Sequence, residues 1–401
     1  MRSALLHGRV LLESGWTTGQ AVLLDGGHIA AIVPDRDIPR DYRTYDLGGE
    51  MLLPGFIDVQ VNGGGGVLFN DACSLAQLDA LARAHRAYGT TGLMPTLISD
   101  DLEVIAAALE LTSQAIAAGV PGILGIHVEG PFLSPDRRGV HDVSKFRALD
   151  EPAFALLTSL RRGKSLVTLA PEMTTPAMIR RLTDAGVVVS AGHTNAKHAD
   201  IAAALKAGVR GFTHLFNAMS PLTGREPGTV GAALEDIHAW CGLILDGHHV
   251  HPVTLRLALR CKPANRFMLV TDAMPTVGMS GDSFMLQGRT ITVRDGMCLD
   301  EAGTLAGSNL NMAAAVKNAV EMLEIDLARA VRMASEYPAA FLGLDQELGK
   351  IAPGYRASLV LADDELNVIE TWIDGEMVSS PGRRGRKPKE GASGGDSLLK
   401  K

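Results

Sequence analysis

Two histidines in this 401-residue chain each follow a short strand-like run. One run is Val187-Val-Val-Ser-Ala-Gly-His193 and the other is Val209-Arg-Gly-Phe-Thr-His214. Upstream, Ile123-Leu-Gly-Ile-His-Val-Glu129 brings a carboxylate to the end of a similar run. One carboxylate and two imidazoles, Glu129, His193 and His214, make the protein-ligand count of a catalytic zinc site that keeps a position open for water. An ion so held lowers the pKa of its water toward about 7 and polarises a carbonyl. Asp272, in Val270-Thr-Asp272, suits the task of taking that water's proton and passing it to a leaving amine. His141, in Gly139-Val-His141, suits a hydrogen bond to a carbonyl that develops negative charge. Each type also has an ordinary structural use. A strand-end histidine is commonly packed, Asp272 is a residue type that caps helices, Asp58 suits a structural role equally, and Glu172 a solvent-facing one. His7, His28, His85, His198 and His238 fall on expected surfaces or helices and are assigned no role.

These residues need elements that deliver them to one place. Ala-Gly closes a helix-like segment before each histidine run, at Gly186 and Gly208, giving a strand, helix, strand rhythm that favours a parallel sheet. Strand-like runs at 55–61, 92–97, 123–127, 166–170, 187–191, 211–214, 240–245 and 266–271 alternate with helix-like stretches such as 74–88, 101–118, 175–185 and 196–207. Eight such units predict an α/β fold, a (β/α)8 TIM-like barrel, in which chemistry gathers at the C-terminal strand ends. The runs 310–323 and 326–335 read as closing helices. Residues 4–53 and 359–378 are short apolar runs with Gly26-Gly27 and Asp374-Gly375 turns, the hairpin signal. The predicted organisation is a small β-sandwich domain from 1–53 plus 345–378, a metal-dependent hydrolase barrel over 54–344, and a disordered basic tail at 379–401.

Composition narrows the function. The chain is 46% hydrophobic with a net charge of −7, which gives no case for nucleic-acid or membrane-surface binding by the main body. Cys73, Cys241, Cys261 and Cys298 are scattered without a CxxC pair, as expected of reduced thiols. The start has no uninterrupted apolar segment of the signal-peptide kind, and no apolar run approaches the roughly 20 residues of a membrane span. The expectation is a cytoplasmic protein. Asn62-Gly-Gly-Gly-Gly66 lacks the spacing of a dinucleotide-binding loop.

With these residues in place the chain resembles the amidohydrolase superfamily and, within it, the N-acetylglucosamine-6-phosphate deacetylase family. The resemblance runs from Asp46-Leu-Gly-Gly to Ser358-Leu-Val360 and rests on Pro54-Gly-Phe-Ile-Asp58, His127-Val-Glu-Gly-Pro-Phe132, Ser190-Ala-Gly-His-Thr194, Thr213-His-Leu-Phe-Asn-Ala-Met219 and Val270-Thr-Asp-Ala273. It implies that activated water attacks the acetyl carbonyl of N-acetyl-D-glucosamine 6-phosphate, releasing acetate and D-glucosamine 6-phosphate. Glu129, His193 and His214 would hold the metal, Asp272 would be the acid/base and His141 would contact the acetyl oxygen. Asn217 and Ala218 would meet the sugar phosphate, Leu305 would lie in a loop closing over the sugar, and Arg225 and His249 would reach the neighbouring site of a homodimer. Much of the superfamily has His-x-His at the first strand's end and binds a second metal there. This chain has Gln60-Val-Asn62, and no lysine ends the 166–170 run, so one divalent metal per subunit is expected. Zinc suits the ligands, and iron, manganese or cobalt can occupy the same set. The alternatives are an amidohydrolase for a different N-acyl amino sugar or a cyclic amide, a catalytically dead barrel used as a scaffold, and nucleic-acid binding through the Arg383–Lys389 run.

Overall fold

The computed structural model describes residues 2–378, so the basic tail lies outside the described residues. Eight parallel strands run in sequential order around a barrel: β1 Phe56–Val61, β2 Thr90–Ile98, β3 Gly125–Glu129, β4 Lys164–Leu169, β5 Val188–Ala191, β6 Gly211–Phe212, β7 Trp240–Ile244 and β8 Phe267–Val270. The ring closes where Asp272 N–H donates to the Gln60 carbonyl at 3.0 Å and Asn62 N–H to the Ala273 carbonyl at 2.9 Å. Every residue of β1 and β2 is buried, the polar Asp58 and Gln60 included, as in strands covered on both faces. β3 and β6 are displaced from their expected positions: β3 starts two residues later and β6 stops at Phe212, leaving His214 in a loop.

Helices such as Leu75–Arg86, Leu102–Ala117, Pro176–Asp184 and His198–Ala207 wrap the outside. Their starts follow local chemistry. The Thr175 hydroxyl accepts the Met178 N–H at 3.2 Å, and Pro176 fills the first position, where no N–H partner is needed. Helix Met312–Leu323 begins on Asn311, whose side chain accepts the Ala314 N–H. No helix among the described residues is long and apolar enough to cross a membrane. His85, expected on a helix or surface, sits on the inner face of Leu75–Arg86 and is buried, with Nε2 2.8 Å from the Gly63 carbonyl.

The chain ends meet. Strand Leu359–Ala362 pairs antiparallel with Met51–Pro54 inside a six-stranded sheet, and a second, four-stranded sheet carries Ser3–Leu6 and Gln20–Asp25. Leu5, Val22 and Leu24 of one sheet share an apolar cluster with Leu52, Leu359 and Trp372 of the other, so the two stack as a small β-sandwich. Gly26 and Gly27 turn the expected hairpin with φ of 57° and 86°, a left-handed pair that glycine adopts without steric cost.

One element goes beyond the sequence expectation. After β8 the chain makes a four-stranded antiparallel sheet, Ser283–Leu286, Arg289–Arg294, Met297–Leu299 and Leu305–Ser308, lying over the barrel mouth.

Asp58 of β1 is fully buried, and its Oδ2 accepts the Thr271 hydroxyl at 2.5 Å. Burial pushes this carboxyl up to about 7, against hydrogen bonds from Thr271 and the Gln60 N–H. A carboxyl raised in the fold contributes stability that is full below its unfolded pKa, near about 4, and is lost as pH rises through about 7. The urea midpoint is therefore expected to fall more steeply between about pH 4 and 7 in the native chain than in Asp58→Asn. Parallel curves would show that Asp58 is ionised in the fold.

Candidate active site

Glu129 ends β3, and His193 and His214 each lie two residues beyond the last residue of β5 and β6. His193, His214 and Asp272 all have left-handed backbone, with φ of 47°, 32° and 53°. For residues with a Cβ this conformation costs on the order of 1–3 kcal/mol each and persists only where the surroundings over-determine it. Here the surroundings are hydrogen bonds. Ser134 N–H donates to the His193 carbonyl at 2.9 Å, Asn217 N–H to the His214 carbonyl at 3.0 Å and Ser308 N–H to the Asp272 carbonyl at 2.9 Å. Glu172 is half-buried instead of solvent-facing, because it accepts the Thr194 hydroxyl at 2.5 Å and the Asn195 N–H at 2.6 Å and so ties down the turn after His193.

The three side chains converge. His214 Nε2 is 3.0 Å from Glu129 Oε1, His193 Nε2 is 3.3 Å from the same oxygen, and the two Nε2 atoms are 3.1 Å apart. His193 Nδ1 lies 2.9 Å from the Arg137 carbonyl, which only accepts, so its proton is on Nδ1 and its Nε2 lone pair faces the cluster. Donor atoms bonded at about 2.0–2.1 Å to one tetrahedral ion stand roughly 3.3 Å apart. The spacing and the donor chemistry both fit a divalent cation, and all three residues are buried.

Two carboxylates share this cavity and are treated oppositely. Burial alone would push Glu129 up, but the two imidazoles hold it well below the usual carboxylate range. Asp272 is raised to about 6 by burial and then by the Glu129 charge, against His214, His249 and Asn62. The Asn62 amide donates to Asp272 Oδ1 at 2.6 Å, and Gln60 Nε2 to the same oxygen at 3.2 Å and to both oxygens of Glu129 at 3.2 and 3.3 Å. Both amides hold Oδ1, which leaves Oδ2 for proton transfer. In the sequence Gln60 and Asn62 stand out only as amides where other members carry histidines. An amide beside two expected carboxylates was the available signal for their role.

His141 Nδ1 receives the Ser99 N–H at 3.3 Å and faces the Ser99 hydroxyl at 2.8 Å. A backbone N–H only donates, so the ring proton is on Nε2. Burial, then the neighbouring His193, pushes its pKa down to about 3, so His141 is a neutral donor at neutral pH.

These groups line one cavity of about 170 Å³ together with Asn217, Ala218, His249 and Leu305. His249, expected to reach a neighbouring subunit, lies in this chain's own cavity because its Nδ1 is held 2.6 Å from Asp246 Oδ2 on the loop after β7. Arg225 does not line the cavity. It stands exposed on the loop after β6.

The fold and site define a metal-dependent amidohydrolase, and residues 51–378 match the amidohydrolase family model; the chain belongs to that family. More particularly, it is 43% identical to an N-acetylgalactosamine-6-phosphate deacetylase of Shewanella sp. (strain ANA-3), over 92% of this chain and 94% of that one. The N-acetylglucosamine-6-phosphate deacetylase of Pasteurella multocida superposes with a TM-score of 0.91 at 36% identity, covering 94% of this chain and 100% of the other. The Mycobacterium smegmatis N-acetyl-D-glucosamine-6-phosphate deacetylase, an Asp-to-Ala variant solved with N-acetyl-D-glucosamine 6-phosphate, gives 0.85 at 32% identity, over 94% and 99%.

If Asp272 works as a carboxylate, kcat/KM falls as pH drops through its pKa. A cation in the adjacent donor set favours the ionised form, so this limb is expected at about pH 6 or below. Asn62→Leu removes a donor to the charged form and should move the limb to higher pH. An unmoved limb assigns it to another group. Asp272→Asn should lower turnover roughly 10²-fold or more at every pH with the fold intact.

Proposed function

We propose that the chain hydrolyses the amide of an N-acetylhexosamine 6-phosphate, with N-acetyl-D-glucosamine 6-phosphate as substrate and D-glucosamine 6-phosphate and acetate as products. The observation that carries this reading is the convergence of Glu129, His193 and His214 on one point, facing the same cavity as Asp272 and the neutral His141. A divalent ion in that set, zinc in the first place, supplies Lewis acidity and lowers the pKa of water. Asp272 Oδ2 takes the proton from the attacking water and delivers it to the amide nitrogen as the carbon–nitrogen bond breaks. His141 Nε2–H donates to the acetyl oxygen as it gains charge. Gln60 offers its NH2 to three carboxylate oxygens, which suits a one-metal site, because that group has no lone pair to give. The four free cysteines suit a reducing cytoplasm.

The phosphate raises a charge question. Asn217 and Ala218 offer polar groups, but among the described residues no arginine or lysine lines the cavity. The missing cation is Arg225 of a second copy, whose fork suits a phosphate, so the working form is a homodimer. A second reading concerns the sugar. The 43% identical relative is named for the galactosamine epimer, so the 4-hydroxyl configuration is part of the question.

Acetate release is expected from N-acetylglucosamine 6-phosphate or its galactosamine epimer, far above the unphosphorylated sugars, and lost on chelation with one metal per chain removed. Equal rates on unphosphorylated sugars would sink the phosphate reading, and chelator-insensitive release the metal one. Arg225→Ala should raise KM for the phosphorylated sugar alone. Mixed with Asp272→Asn and allowed to exchange subunits, it should regain activity, because one site of the hybrid is intact. No regain would place Arg225 outside a shared site.

A further inference from the structure

The sheet over the barrel mouth does more than cover the cavity. Its buried side chains Leu286, Ile291 and Cys298 form one apolar cluster with Ile98, the last residue of β2, and Val140 of the loop after β3. Ile98 and Val140 directly precede Ser99 and His141 in the chain. The tip of the sheet's first hairpin then makes two polar contacts at the same places. Gln287 Nε2 donates to the Ser99 carbonyl at 2.8 Å, and the Arg289 guanidinium donates to the Val140 carbonyl. Ser99 in turn holds His141 Nδ1 through both its N–H and its hydroxyl. One hairpin therefore holds both the residue that meets His141 Nδ1 and the peptide that carries His141.

The turn supports a role for the glutamine side chain itself. Leu286 pairs with Arg289 across a two-residue turn, with Gln287 at φ 46° and Gly288 at φ 80°. Both turn positions are left-handed, which favours asparagine or glycine at the first. Glutamine there is disfavoured by its Cβ, and its side chain is held by the contact with Ser99.

We infer that Gln287 and Arg289 are positioning residues for His141, fixing its ring and its Nε2–H tautomer through Ser99 and Val140. This rests on the reading that His141 donates to the acetyl oxygen. Losing one such donor outright costs about 10²–10³ in kcat, so loosening it should cost roughly tenfold. Gln287→Ala and Arg289→Met are expected to lower kcat by about that factor with KM within about twofold, and Arg289→Lys to recover most of it. In a His141→Asn background the same changes should have no further effect. An additive loss there, or a change confined to KM, would show that the hairpin acts on the sugar and overturn the inference. A readout independent of turnover separates this from the substrate reading: ¹⁵N NMR of ring-labelled histidine. In Arg289→Met and Ser99→Ala the His141 ring should leave its single Nε2–H form. Unchanged His141 ring nitrogens in both variants would overturn the inference even if neither sugar phosphate is a substrate.

Discussion

A buried carboxylate pair governs this molecule. Glu129 and Asp272 are 2% and 9% exposed and face one small cavity. Removing an ion from water costs several kcal/mol unless donors replace the lost hydration, and two like charges side by side cost more. The chain meets this constraint from the ends of different strands. Two imidazoles approach one oxygen of Glu129, and the Gln60 amide stands between the carboxylates and donates to both. Asn62 takes the outer side of Asp272. A parallel barrel suits the task because all its strand ends point into the same mouth.

The same arrangement divides the work. Identical functional groups are pushed apart, Glu129 held ionised and Asp272 raised to about 6, which separates a fixed charge from a group able to carry a proton. Left-handed backbone at His193, His214 and Asp272 belongs to this solution. An extended residue at those points would carry the strand onward and turn its side chain away from the shared point. Each strained residue is held through its carbonyl, His193 and Asp272 by a neighbouring segment and His214 by Asn217 of its own loop, and Glu172 adds a further tie behind His193.

The barrel and the donor set were legible because both rest on strong local signals: buried strands rich in apolar residues, and ligand-type side chains just beyond them. Gln60 and Asn62 were less so, since an amide's partners depend on which carboxylates the barrel brings beside it, across some 70 and 210 residues of chain. The sheet at 283–308 escaped notice although Gln287-Gly288 and Asp295-Gly296 are hairpin turns. Its strands are three to six residues long and half-exposed, so their apolar pattern is faint. His249 was placed across a subunit boundary by resemblance, whereas the Asp246 turn keeps it at home.

Chemistry and selectivity then occupy different parts of the fold. Glu129, His193, His214 and Asp272 sit at or two residues beyond strand ends, fixed by buried hydrogen bonds. The cavity wall nearest Thr304, Leu305 and Gly307 comes from the last strand of the mouth sheet and the loop before it, and among the described residues neither arginine nor lysine is part of the lining. A pocket built this way can change which sugar it accepts without disturbing Glu129 or Asp272. Relatives named for two epimers at 43% and 36% identity fit that separation. The separation is incomplete at one point. The sheet that supplies the wall also holds the Ser99 and Val140 carbonyls beside His141, so a change in the wall that tilts its hairpin reaches the His141 ring as well as the cavity lining.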